Sequence, residues 1–401
     1  MHVPGWHDRT RELRADGRIQ MLGIIQEQHP QRARLFMQWK EMGWPLLVDS
    51  LDLLDVGVVP MTVLIDERGV VRALQPDAAT FDEFLDSAPT AAAESRPDAL
   101  APLQPEKPDL ARLEKTASDG NAAALQQLAD ALFLWGGESG LERAIDSYER
   151  ALTIDADEGR TAFRLGVAHR RRYDSARRHD DDFATAVSMW GTALDTDPNQ
   201  YIWRRRIQQY GPRLGKPYPF YDWVNQARED ITRRNETPVK LANEPGGAEI
   251  ARPARAFVVA ATTDDPDPQG RIDRDEKSLI HVERTVVPAR VAPGQPARVH
   301  LVLRPDADLQ AHWNNEAGDL VVWLAPPDGW AVDSRQLSLT NPPDAVSDEP
   351  RRLEFEVQSP ERFSGEMSLP AYALYYVCEG VNGTCLYRRQ DIPIRLVAGT
   401  D

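Results

Sequence analysis

Residues 58–69 read Val-Val-Pro-Met-Thr-Val-Leu-Ile-Asp-Glu-Arg-Gly. Apolar and β-branched side chains run from Val58 to Ile65, and Glu67-Arg68-Gly69 supplies a turn, so the pattern predicts a buried strand closed by a hairpin. Val70-Val71-Arg72 returns as the partner strand. Pro60 is the unusual residue of the run, because proline cannot donate to a sheet ladder and is normally kept out of central strands. Upstream, Ile19 to Ile25 is a further apolar run suited to a buried strand, and Leu46-Leu47-Val48 is another. Between them, Ala33, Leu35, Phe36, Trp39 and Met42 recur at helical spacings. Strands alternating with a helix imply an α/β layer built on βαβ units over residues 1–85.

These residues resemble the thioredoxin superfamily, in its redoxin (peroxiredoxin-like) branch. The run V-V-P-M-T-V-L-I-D-E-R-G matches the family's cis-proline strand and following hairpin, which makes Pro60 the cis-proline that would turn the Val59 backbone toward a substrate. In that family a catalytic C-x-x-C stands earlier, at a helix N-terminus that lowers the thiol pKa. The corresponding place is Val3-Pro4-Gly5-Trp6-His7, with both cysteines replaced. Neither Val nor Trp forms a thiolate, so the resemblance implies a domain without dithiol chemistry. The family's first strand also precedes that motif. Two readings stay open: a degenerate fold kept as a binding module, or a chain whose true start lies upstream of Met1. The compartment stays open: cytoplasmic is expected for the chain as written, and periplasmic or extracytoplasmic under the second reading. His7 and His29 have no nucleophile or metal partner nearby in sequence and read as surface polar residues.

Residues 86–109, rich in Ala and Pro without apolar periodicity, read as a linker. Residues 110–235 lose proline until Pro198 and become rich in Ala, Leu and Arg, so they are expected to be helical. Internal repetition is visible there: Ala144, Tyr148 and Ala151 recur as Ala186, Trp190 and Ala193, followed by Pro198 where the first copy has Ala156. Leu128-Ala129 and Leu165-Gly166 stand upstream of the two copies. The pattern resembles tetratricopeptide repeats, in which small residues let paired helices approach and an aromatic fills the space beside them. The period from Ala144 to Ala186 is 42 residues against the family's ~34, which places an insertion near Arg170–Asp182. Two repeats bury too little to stand alone. The seven aromatics of residues 201–223 are expected to cap them. The resemblance implies a protein partner bound in the groove of the first helices, bordered by the Arg-rich insertion at residues 170–178.

Arg204, Arg205, Arg206, Arg213 and Lys216 interleave with those aromatics, which raises nucleic acid as a rival partner. Charge tempers it. Residues 160–235 carry 15 basic and 9 acidic side chains inside a chain of net charge −16. A mildly basic patch on a strongly acidic chain is expected to dock on the chain's own acidic parts or on a protein.

A second linker is expected over residues 236–253, and residues 254–401 turn to short β-branched runs between Pro, Gly, Asn and Asp, an all-β pattern. Strands are expected at Ala256–Ala260, Ser278–Val287, Ala297–Leu303, Leu320–Leu324, Gln336–Thr340, Arg352–Val357, Glu366–Leu369, Leu374–Val377 and Leu386–Leu396. That number suggests a two-sheet sandwich of immunoglobulin type. Both cysteines of the chain, Cys378 and Cys385, flank a segment with the turn signal Asn382-Gly383, so they are expected to face each other across a hairpin. The arrangement resembles the N-terminal immunoglobulin-like domain of bacterial thiol:disulfide interchange proteins, whose hairpin cysteines shuttle electrons. The other readings are a structural disulfide, which is favoured because pairing by geometry needs no special environment, or two free thiols if the chain is cytosolic. Asp265, Asp267, Gln269, Gly270, Asp273 and Glu276 satisfy the EF-hand spacing, but Pro266, Pro268 and a β-like lead-in favour an acidic surface loop. Asn235-Glu236-Thr237 and Asn382-Gly383-Thr384 fit a glycosylation sequon, a pattern common by chance.

The fold class expected is therefore multidomain: a thioredoxin-like α/β domain, a short tetratricopeptide array and a C-terminal immunoglobulin-like β-sandwich. The composition, 41% hydrophobic and 27% charged, is that of a globular chain. No apolar run reaches the ~18 residues a membrane helix needs. No Ser/His/acid set, Gly-rich phosphate loop or His/Cys metal cluster stands out, so no cofactor and no metal are expected. The function expected is a non-catalytic protein-binding adaptor. The alternative is a thiol–disulfide exchange protein working through Cys378 and Cys385.

Overall fold

Asp66 explains the first hairpin locally. Its carboxylate accepts hydrogen bonds from the backbone N–H groups of Arg68 and Val70, each at 2.9 Å, and Gly69 takes the positive φ (+79°) that closes the turn. The computed structural model describes residues 2–87, 107–118, 120–252, 257, 264–380 and 383–399. The chain divides into two compact units: residues 1–26, 42–154 and 200–202 in the first, and residues 27–41, 155–199 and 203–401 in the second.

The first unit holds α1 (His2–Arg9), α2 (Arg11–Ala15) and β1 (Gly23–Ile25). Helix α3 (Pro30–Trp39) follows in sequence but belongs to the second unit. The first unit continues with β2 (Leu46–Val48), β3 (Val63–Ile65), β4 (Val71–Leu74), α4 (Ala78–Asp86), α5 (Leu110–Ala117), α6 (Ala122–Trp135) and α7 (Gly137–Ile154). Strands β1 and β2 pair in parallel, and β3 and β4 pair antiparallel. Side-chain caps start the helices: Asp77 accepts from Thr80 N–H, Asp109 from Arg112 N–H and Asn121 from Ala124 N–H.

The strands of this unit differ from the sequence expectation. They are short, and Ile24, Leu47, Val48, Val63, Ile65 and Val71 are exposed rather than buried. Each pair is only two strands wide, too narrow to cover both faces of its apolar runs.

The second unit holds, besides α3, the helices α8 (Gly159–Tyr173), α9 (Asp182–Thr196), α10 (Tyr201–Gln208, its first two residues in the first unit) and α11 (Trp223–Arg233). Helix α3 lays Leu35 against Val224, Ala227 and Ile231 of α11 and against Leu241. The segment expected as a second linker is thus packed: Leu241, Ala248 and Glu249 are all buried.

Twelve strands follow among the described residues: β5 (Ile280–Val287), β6 (Pro296–Pro305), β7 (His312–Asn314), β8 (Leu320–Leu324), β9 (Ala331–Val332), β10 (Gln336–Leu339), β11 (Val346–Ser347), β12 (Arg351–Gln358), β13 (Glu366–Leu369), β14 (Ala371–Cys378), β15 (Cys385–Asp391) and β16 (Ile394–Val397). One sheet runs β10-β8-β14-β7-β11, with β15 added on β14; another runs β5-β6-β12-β9; β13 pairs β16. All these pairings are antiparallel. Val299, Leu301 and Leu303 of β6 and Leu353, Phe355 and Val357 of β12 point into one core with Trp313, Val322, Tyr375 and Val377 of the other sheet. The alternation read from sequence is what directs them there, since successive strand residues face opposite sides. The expected strand 386–396 is two strands, interrupted at Ile392-Pro393 because proline cannot continue the ladder. The expected strand 256–260 falls almost wholly outside the described residues, as does most of 86–109. The molecule is a mixed α/β chain of several antiparallel sheets and eleven described helices.

Candidate functional site

The Val59–Pro60 bond is cis, and a second cis bond joins Val287 and Pro288. Val3, Pro4, Gly5, Trp6 and His7 lie inside α1, where Trp6 meets Phe81 edge-on at 5.0 Å. His7 and His29 are buried, not surface residues. His7 accepts from Trp44 Nε1 (3.3 Å), and His29 hydrogen-bonds the Tyr210 hydroxyl at 2.8 Å. Each ring finds the polar partner that burial demands.

Around these strands lies the most conspicuous surface of the first unit. Fourteen of the twenty-two exposed large apolar side chains among the described residues fall between Leu22 and Leu74. In the same unit, a groove of about 440 Å³ opens between α5, α6 and α7 over Ala117, Leu128 and Leu132.

The repeat anchors behave as a set. Ala144, Tyr148 and Ala151 of α7, Leu165 of α8, and Ala186, Trp190 and Ala193 of α9 are all buried. Tyr148 donates to Asp130 at 2.6 Å. Gly166 faces Trp190, and Pro198 lies exposed just past the end of α9. Of the residues expected to cap the repeats, Trp203 stacks on Phe163 (5.7 Å) and Tyr210 on Trp190 (5.8 Å).

The arginines expected to border a partner groove are mostly spent inside the protein. Arg170 is 2% exposed, stacks on Phe183 at 4.2 Å and binds Asp174. Arg172 binds Asp182 at 2.6 Å, and Arg178 pairs with Glu283. Asp182 also bonds His169 and the His179 N–H, and those donors hold its carboxyl down at about 2 against the upward push of burial. Reversing Arg170 and Arg172 would therefore attack folding, not partner binding. In the second basic cluster, Arg206 bonds Gln28, and the Arg213 backbone N–H donates to Glu356 at 2.7 Å.

Sequence reasoning missed a buried polar junction in the second unit. Arg32 of α3 donates to Glu249 at 2.5 Å, with Glu27 4.0 Å away. Glu27 also receives Gln209 Nε2 (2.9 Å) and the Tyr221 hydroxyl. Burial pushes the Glu249 carboxyl up to about 7 despite the pull of Arg32. Burial pushes on Glu27 too, but Arg32, Tyr221 and Arg206 outweigh it and hold that carboxyl below its ordinary value. Burial, with Arg170, Arg32 and Arg206 nearby, keeps His29 well below the usual imidazole range. On the outward face of β6 and β12, His300 bridges Glu354 (2.9 Å) and the Tyr210 carbonyl (2.8 Å), and Arg298 pairs with Glu354. The only sequence signal was the run of charges alternating with apolar residues on β6 and β12.

Cys378 and Cys385 form a disulfide at a directly opposed position of β14 and β15. The pair is asymmetric. Cys378 is 1% exposed, whereas Cys385 lies on the surface beside the stacked Tyr376 and Tyr387 rings. Asn382 lies outside the described residues, so the expected turn and second sequon are not seen.

The loop with calcium spacing has a cation of its own. Arg389 donates to the Asp267 carboxylate at 2.8 Å and to its carbonyl at 3.1 Å, and Tyr372 donates to Asp265. Asp267 is 6% exposed. Among the described residues, the His/Cys/Asp/Glu group whose ligand atoms converge within 4.8 Å is instead His179, Asp181 and Asp182. Asp182 there is already held by His169 and Arg172. No described helix is long and apolar enough to cross a membrane.

No protein-family model matches the chain, and no curated protein matches it. Among solved structures, that of AvmM, which catalyzes macrocyclization in alchivemycin A biosynthesis, is similar over 31% of this chain and 92% of that chain, at 14% identity and a TM-score of 0.20. Likeness at that score carries no argument about fold or function.

Proposed function

We propose that this chain is a non-catalytic protein-binding adaptor: a thioredoxin-like domain without its cysteines, joined to tetratricopeptide helices and an immunoglobulin-like sandwich. The observation that carries it is the apolar surface between Leu22 and Leu74. Supporting the fold reading are the cis bond at Pro60, the parallel β1–β2 pair, and the buried Ala/aromatic anchors of α7 and α9. Both cysteines stand in the C-terminal segment, so the first unit holds no thiol nucleophile.

The test is site-specific photo-crosslinking in the chain's own cells. A photoreactive residue at Ile65 or Leu74 is expected to give a discrete adduct with another protein, and one at the polar position Arg68 of the same hairpin is not. Equal labelling at all three, or none at the apolar positions, would overturn the reading.

The second reading, thiol–disulfide exchange, is favoured by the exposure of Cys385. A partner thiolate would attack that sulfur, forming a mixed disulfide and releasing Cys378 as thiolate.

A further inference from the structure

We propose that the cleft in the second unit between α9, residues 243–249 and the outer face of β6 and β12 binds a small oxyanion, a carboxylate or a phosphate group. The inference goes beyond the adaptor reading and does not depend on it. The cleft encloses a cavity of about 50 Å³. That is room for a few waters or one small oxyanion, and the lining is polar enough to hold either.

The charges decide between them. Arg32, Arg170, Arg298 and Arg352 line the cleft, against Glu244, Glu249 and Glu354. Every carboxylate already has a cation: Glu244 pairs with Arg228 (2.6 Å), Glu249 with Arg32 through Nη1, and Glu354 with Arg298. Arg170 is held by Asp174. Two donors are left over. Arg352 is exposed, and its side chain has no hydrogen-bond or ion-pair partner among the described residues. Arg32 is 2% exposed, and its Nε–H is buried without an acceptor.

A buried donor left unpaired is costly, and guanidinium groups meet planar or tetrahedral oxyanions with paired N–H donors. Val302, on the outer face of β6 opposite Arg352 in the ladder, supplies an apolar part of the lining. Glu249, with its raised pKa, adds less negative charge near neutrality than an ordinary carboxylate.

The test titrates the full chain with sodium phosphate and separately with sodium acetate, at constant ionic strength made up with sodium chloride. Arginine Nε–H resonances are followed by NMR. Two arginine signals, one of them missing in Arg352→Gln, are expected to move together and saturate. The same variant is expected to weaken the apparent affinity about tenfold, the loss of one charge-assisted contact. Response to phosphate alone or acetate alone tells which group the cleft selects. Shifts that never saturate, or an affinity unchanged in Arg352→Gln, would overturn the proposal.

Discussion

The indole of Trp190 lies across Gly166: a Cβ at position 166 would stand 2.5 Å from the Trp190 Nε1 and 2.9 Å from the Ala186 carbonyl oxygen. The glycine is what lets α8 and α9 approach. Gly166→Ala is expected to destabilise the chain by about 1–2 kcal/mol, because overpacking outweighs the gain in helix propensity. Urea unfolding measures this directly. An unchanged or raised midpoint would mean that the contact is not close.

In the loop from Asp265 to Glu276, Arg389 pairs with the Asp267 carboxylate and Tyr372 donates to Asp265, so two of the carboxylates of the calcium pattern already have partners. Calcium at millimolar concentration is therefore expected to leave the melting temperature unchanged. Arg389→Ala is expected to cost about 2 kcal/mol or more, since it strands the buried Asp267 carboxylate and removes the cation stacked on Tyr372. A calcium-dependent rise in melting temperature would contradict the assignment.

Glu249 makes stability depend on pH. Its carboxyl sits near 4.5 unfolded and at about 7 in the fold, so the native chain holds the extra proton between those values. Stability from this group is full below about pH 4.5 and is lost as pH rises through about 7. His29 acts in the opposite sense, because its lowered pKa favours the fold at higher pH. Comparison with Glu249→Gln removes that background. Between about pH 5 and pH 8 the wild type is expected to lose on the order of 2–3 kcal/mol relative to the variant. Denaturant unfolding across that range tests it, and a pH-independent difference would contradict it.

Much of the secondary structure was legible because local signals agreed with burial. Val299, Leu301 and Leu303 alternate with the outward Arg298, His300 and Val302, and Ala144, Tyr148 and Ala151 recur as Ala186, Trp190 and Ala193. Short strands such as Ala331–Val332 left no periodic trace. The exposure of Val63 and Ile65 was not legible either, since an apolar run reports what a strand would bury and not whether a layer covers it. The polar junction was hidden for another reason. Glu27 and Arg32 are far in sequence from Tyr221 and Glu249, and none belongs to a motif. The cysteine hairpin was legible from spacing, while the burial of Cys378 beside the exposure of Cys385 depends on the neighbouring strands.

The measurement closest to the central claim is the redox equilibrium of Cys378 and Cys385. The adaptor account treats the bond as structural, with Cys378 buried and the seven-residue separation giving about 2–3 kcal/mol of stability that Cys→Ser at both positions removes. Equilibrating the purified chain against a glutathione and dithiothreitol series, with thiol trapping, gives the potential. The account predicts a value below about −300 mV and no mixed disulfide with glutathione. A value close to that of thioredoxin-like proteins, together with a mixed disulfide trapped at Cys385, would contradict the adaptor account and establish thiol exchange.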